Sequence, residues 1–114
     1  MSMQYLHNPR CSKSRQGLAL LQEKGFNPIV IEYLKTPLSV AELETLAKRL
    51  GVDDLREMMR VKEADYKDNQ LQDAEQASLL KAMAEFPKLI ERPVLINGER
   101  AIIGRPPEQL LDIV

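Results

Sequence analysis

The sequence has one cysteine, one histidine and no tryptophan among its 114 residues. A single cysteine excludes an intramolecular disulfide, and with it a self-contained dithiol couple. If that thiol, Cys11, is redox-active, its resolving thiol comes from another molecule. The same scarcity points to a reducing, cytoplasmic compartment. Zinc would find only two candidate ligands of the Cys/His type in the whole chain, so no metal site is expected. An excess of charge of either sign is also missing. Sixteen Lys+Arg against seventeen Asp+Glu leave a net charge of −1, so no global basic field exists for nucleic acid or anionic lipid. Any anion site must be local. Apolar runs are only a few residues long, too short to span a membrane. The opening "MSMQYL" lacks the basic and apolar regions of a secretory leader. No repeat, low-complexity tract or linker interrupts the chain, and no long heptad or spare apolar stripe argues for more than a monomer.

What is present suits one domain over residues 1–114, with 44% hydrophobic residues to build a core. "MQYLH" reads as a strand, and Cys11 to Lys24 as a helix with Leu18, Leu20 and Leu21, ending at Gly25. "PIVIEYL" (28–34) is a β-branched strand. Together they form a βαβ unit with the cysteine at its first strand-to-helix turn. A Ser39/Glu42 capping box opens "SVAELETLAKRLG", which stops at Gly51. Residues 53–59 suit a short helix, 61–72 a loop with a turn or two, and 74–86 a helix closed by Pro87. "RPVLI" and "RAII" flank Asn97–Gly98, a pair that predicts a type I′ hairpin turn. Pro106–Pro107 then lead into a final helix, "EQLLDIV". This order, βαβ, helices, ββα, is an α/β thioredoxin-like plan with a helical insertion at about 38–86. In that plan Pro93 falls where a cis-proline adjoins the active cysteine.

The stretch "YLHNPRCSKSRQG" (5–17) concentrates the chemistry. A lone cysteine is more often a small buried hydrophobe than a nucleophile, but Cys11 lies between Arg10 and Ser12–Lys13, which does not read as core. A helix N-terminus favours the thiolate and offers N–H groups to an oxyanion. Arg15 lies one turn on, with Arg10 and His7 before it. A lone histidine is commonly structural, and Lys13 and Arg10 are compatible with plain solvated surface. Ser14 reads either as a polar helix residue or as a partner of the sulfur. The low-molecular-weight phosphatase loop, C-x5-R, would need arginine where Gly17 stands. Thioredoxin-type C-x-x-C would need cysteine where Ser14 stands. A monothiol C-x-x-S-R remains.

"HNPRCSKSR" resembles the H-N-P-x-C-x-x-S-R signature of the glutaredoxin-dependent, ArsC-type arsenate reductases. "IEYLKTPLS" (31–39), "LREMMRVKE" (55–63) and "IERPVLINGERAIIGRPPEQLLDIV" (90–114) are similar to later blocks of that family, in family order. The resemblance implies a thioredoxin-like fold and reduction of arsenate to arsenite. Cys11 would be the nucleophile, with His7 near it to keep it ionised. Arg60, Arg92 and Arg105 would hold the oxyanion, with Arg15 as helper and Arg56 or Arg49 as rivals to Arg60. Guanidinium groups suit that role because they donate paired hydrogen bonds and keep their charge. No bound cofactor is implied; glutathione is a co-substrate and glutaredoxin the partner that resolves the thiol product. Two other readings stand beside this one. A glutathione-dependent thiol oxidoreductase of another substrate would share the same loop. An Spx-like regulator that binds RNA polymerase shares the fold, but its redox form carries the C-x-x-C that Ser14 replaces.

Overall fold

β-Branched and aromatic residues in four short runs build the sheet around which the first unit of the molecule forms. The computed structural model describes residues 3–114. Strands β1 (Met3–Leu6), β2 (Ile29–Ile31), β3 (Val94–Asn97) and β4 (Arg100–Ile103) lie in the order β2-β1-β3-β4. β1 and β2 are parallel, with Tyr5 opposite Val30, while β1–β3 and β3–β4 are antiparallel. The parallel pair is joined by helix α1 (Ser12–Glu23), the crossover expected of a βαβ unit. The α/β thioredoxin-like plan read from the element order is therefore the one observed.

Contacts along the chain divide it into two compact units, one formed by residues up to Thr36 together with Arg92–Val114, the other by Pro37–Glu91. The stretch read as an insertion, about 38–86, falls in the second. In the first unit, Tyr5, Leu21, Leu95, Leu110 and Ile113 form a buried cluster, with Leu18, Phe26 and Ile102 packed against it. In the second, α2 (Val40–Leu50) packs on α4 (Gln76–Glu85), burying Leu43, Leu46, Leu79 and Met83. The Ser39/Glu42 capping box is formed on both sides, at 3.1 and 2.9 Å.

Three local expectations are corrected. The strand at 28–34 is only Ile29–Ile31, because the chain turns at once, with Lys35 and Thr36 N–H groups both donating to the Glu32 carbonyl. The hairpin turn is Gly98–Glu99, since Asn97 pairs with Arg100. Gly98 has φ +64° while Glu99 keeps a negative φ, the pattern of a type II′ turn rather than I′. The last segment, Pro107–Ile113, is a 3₁₀ helix; its buried residues Pro107, Leu110 and Ile113 recur every third position, matching three residues per turn. The short helix read at 53–59 is present as the 3₁₀ segment Leu55–Met58, with Leu55 and Met58 inward.

Residues 61–72, read as a loop with a turn or two, hold α3 (Ala64–Asp68) and the start of a 3₁₀ turn at Leu71–Asp73. Arg56 anchors them. Its Nε donates to the Tyr66 hydroxyl at 3.0 Å, and its Nη2 to the carbonyls of Leu71, Gln72 and Ala74 at 2.8, 3.0 and 2.8 Å.

Candidate active site

β1 ends at Leu6, but the His7 N–H still donates to the Ile31 carbonyl at 2.9 Å, so the sheet fixes the start of the loop. Asn8 then makes the turn. Its carbonyl accepts the Cys11 N–H at 3.0 Å, and its Oδ1 accepts the Arg10 N–H at 3.1 Å, an arrangement for which asparagine is suited. Its own N–H donates to Ser14 Oγ at 3.0 Å. Cys11 is delivered in an extended conformation as the N-cap of α1, its carbonyl taking the Arg15 N–H at 3.0 Å. Its thiol lies at the first turn of α1, whose N–H groups a helix start cannot satisfy internally, and those of Lys13 and Ser14 favour its ionised form.

Burial pushes the Cys11 thiol up, but several donors act the other way. The Ser14 amide, the Arg92 guanidinium by hydrogen bond and charge, and the Lys13 amide each stabilise the thiolate. Their sum prevails, and the thiol is held below its ordinary value.

Ser14 is fully buried, and its hydroxyl bridges the Asn8 N–H and His7 Nδ1, the latter at 2.7 Å. The side chain of Ser14 thus serves the imidazole while its backbone N–H serves the sulfur. His7 is itself buried beside the Tyr5 ring, with centroids 5.7 Å apart. Burial lowers its pKa; Glu32 opposes this and Arg15 adds to it, with a net fall from the ordinary histidine value. At neutral pH the imidazole is therefore mainly uncharged.

The structure brings His7, Cys11, Arg15 and Arg92 into one neighbourhood. Arg15 Nη1 donates to the Pro9 carbonyl at 2.9 Å, bracing the loop from the helix side. Arg92, just before β3, lowers the Cys11 pKa by hydrogen bonding and charge, and the Arg92–Pro93 peptide is cis. Arg105 is exposed, and its Nη1 donates to the Arg92 carbonyl at 3.3 Å. Arg60 belongs to the second unit, where it pairs with Glu63 at 3.4 Å. Arg56, weighed as a rival to Arg60, has its guanidinium committed to Tyr66 and the 71–74 carbonyls. Two residues that the sequence reading left without a role emerge here: Asn8, which shapes the turn, and Tyr5, whose hydroxyl donates to the Ser14 carbonyl at 2.6 Å. An Asn-Pro pair signals a turn, but nothing in the pattern of β1 signals the phenol's partner. Among the described residues, no three His, Cys, Asp or Glu side chains gather as metal ligands would.

A thioredoxin-like sheet with one activated cysteine capping its first helix, and an arginine on the sulfur, defines a monothiol member of that fold class. The chain belongs to the ArsC family, whose model matches residues 6–113. It is 53% identical over 116 residues to an arsenate reductase of Haemophilus influenzae, covering 100% of both chains. Identity to an arsenate reductase of Neisseria meningitidis serogroup B is 43% over 106 residues, 91% of each chain. The solved structure of the arsenate reductase from Vibrio cholerae superposes with a TM-score of 0.97 at 50% identity, over 100% of this chain and 98% of that one.

Proposed function

We propose that the protein is an arsenate reductase that uses Cys11 as its nucleophile and takes its remaining electrons from glutathione and glutaredoxin. The observation that carries this reading is the sulfur itself, lowered in pKa by two helix amides and Arg92. The same donors that favour a thiolate suit a tetrahedral oxyanion and the charge that builds up as it reacts. Relatives of 53% and 43% identity that bear the name arsenate reductase support the substrate.

In the proposed reaction the Cys11 thiolate bonds to arsenic(V), and one arsenate oxygen leaves as water after protonation. Glutathione thiolate then attacks the Cys11 sulfur. The S–As bonding pair departs with arsenic, which leaves as arsenite, arsenic(III). Cys11 is left in a mixed disulfide with glutathione. Glutaredoxin reduces that disulfide and returns the thiol, so a chain with a single cysteine turns over without a resolving thiol of its own. Arg92 orients the oxyanion and holds the thiolate. Arg105 and Arg15 add positive charge beside it, and the motif match extends the same proposal to Arg60. His7 keeps Ser14 in place for the sulfur. The protein would work as a monomer in the cytoplasm; no helix among the described residues is long and apolar enough to cross a membrane.

Arsenate-dependent NADPH oxidation, coupled through glutathione, glutaredoxin and glutathione reductase, tests this reading. Activity should vanish in Cys11→Ser and when either glutathione or glutaredoxin is withheld. Undiminished turnover without glutathione would refute the electron source. A folded wild type with no turnover on arsenate would refute the substrate.

A further inference from the structure

Helix α1 carries a break in its side-chain pattern that the thiol chemistry does not explain. Gly17 sits in its interior, where glycine costs helix stability. The space it leaves is taken by Tyr5: a Cβ on Gly17 would lie 2.5 Å from the Tyr5 oxygen and 2.7 Å from Leu110 Cδ1. Through this gap the phenol, wholly buried on β1, reaches the helix backbone and donates to the Ser14 carbonyl at 2.6 Å. A tyrosine that served packing alone would need no such opening, and phenylalanine would fill the core equally well. The bond instead falls on the residue whose amide favours the ionised Cys11 thiol and whose hydroxyl holds His7.

We propose that Tyr5 is a positioning residue for Cys11: by binding the Ser14 carbonyl through the gap at Gly17, it fixes the first turn of α1 so that the Ser14 amide stays on the sulfur. The sheet is the rigid reference, because Tyr5 is paired within β1 to Val30 on one side and Leu95 on the other. Ser14 is then held from two directions, by Tyr5 at its carbonyl and by His7 and Asn8 at its hydroxyl. Burial pushes the phenol's pKa up, so it remains a hydrogen-bond donor throughout the range in which the thiol titrates. Cys11 adds to that rise, which couples the two groups electrostatically. The other groups that bear on this titration are Arg92, directly on the sulfur, and His7 through Ser14, with Arg15 and Glu32 acting on His7. The inference rests on Cys11 being the working thiol, but not on arsenate being its substrate.

The test is the pH profile of Cys11 alkylation by iodoacetamide, in wild type and Tyr5→Phe, with folding checked by circular dichroism. Loss of one hydrogen bond should raise the midpoint by about half a unit, leaving about three-fold less thiolate at pH values below it. A folded Tyr5→Phe with an unchanged midpoint overturns the proposal, since a packing role would lower stability and leave the profile in place. A second measurement uses the wild type alone, with ¹³Cζ-labelled tyrosine. Coupling is reciprocal, so the Tyr5 resonance should shift with the alkylation midpoint while those of Tyr33 and Tyr66 do not. A Tyr5 resonance that is flat through that midpoint overturns the proposal even if the variant does not fold. Neither measurement involves arsenate, so failure of the substrate assignment would leave the result intact.

Discussion

The Arg92 guanidinium favours the ionised form of the Cys11 thiol, linking the residue before β3 to the N-cap of α1. Removing the guanidinium removes both a bond and a charge that favour the thiolate. Arg92→Ala should therefore move the alkylation midpoint of Cys11 upward, and Arg92→Lys, which keeps the charge without the planar fork, should move it less. The wild-type midpoint itself should lie below that of free cysteine. Iodoacetamide rates across pH check all three.

The lowered thiol also makes stability depend on pH. The folded pKa lies below the unfolded one, so the thiolate stabilises the fold fully above the ordinary thiol value. That contribution is lost as pH falls through the folded value. The difference in unfolding free energy between wild type and Cys11→Ser should accordingly widen with rising pH across this window. Urea titrations at a series of pH values measure it.

His7 behaves in the same sense for a different reason. Its folded pKa is depressed chiefly by burial, so the unfolded chain binds the extra proton first as pH falls. Stability attributable to His7 is complete above the ordinary histidine value and declines below it until the folded value is passed. His7→Gln should flatten this part of the stability profile and slow Cys11 alkylation at neutral pH.

Ser14→Ala strips the Asn8 N–H and His7 Nδ1 of their shared partner in a buried position. Leaving such groups unsatisfied costs about 1–3 kcal/mol, readable as a lower urea midpoint. The thiol should also titrate higher, because the amide on the sulfur belongs to the same residue.

In the second unit, Arg56→Met should loosen one segment. Loss of its bonds to the carbonyls of Leu71, Gln72 and Ala74 should speed amide exchange across α3 and residues 71–74 while sparing α1. Equal acceleration in both regions would contradict a local role.

The elements that carry strong local signals were legible in the sequence. Ser39 and Glu42 announce a helix start by spacing, and the capping box is formed as spaced. Cys11 stands at the helix N-terminus because the apolar pattern begins just after it. The turn type was not legible, since Asn97–Gly98 fits I′ chemistry while the strand register moves the turn one residue on, to Gly98–Glu99. Nor was the 3₁₀ form of Pro107–Ile113, where "EQLLDIV" suits either helix until the packing of Leu110 and Ile113 selects a three-residue period. At the site, Cys11 and its motif neighbours were visible as residue types. The Tyr5–Ser14–His7 arrangement was not, because bonds between a strand and the helix it precedes leave no periodic trace in sequence.

The central claim is that Cys11 sulfur bonds arsenate and leaves the reaction joined to glutathione. A single-turnover reaction of the purified protein with arsenate and glutathione, without glutaredoxin, tests it most directly, with arsenite quantified and the protein weighed intact by mass spectrometry. The account predicts about one arsenite per chain, a glutathione adduct on Cys11, and neither product from Cys11→Ser. Arsenite released at the wild-type rate by Cys11→Ser, or none from the folded wild type, would contradict it.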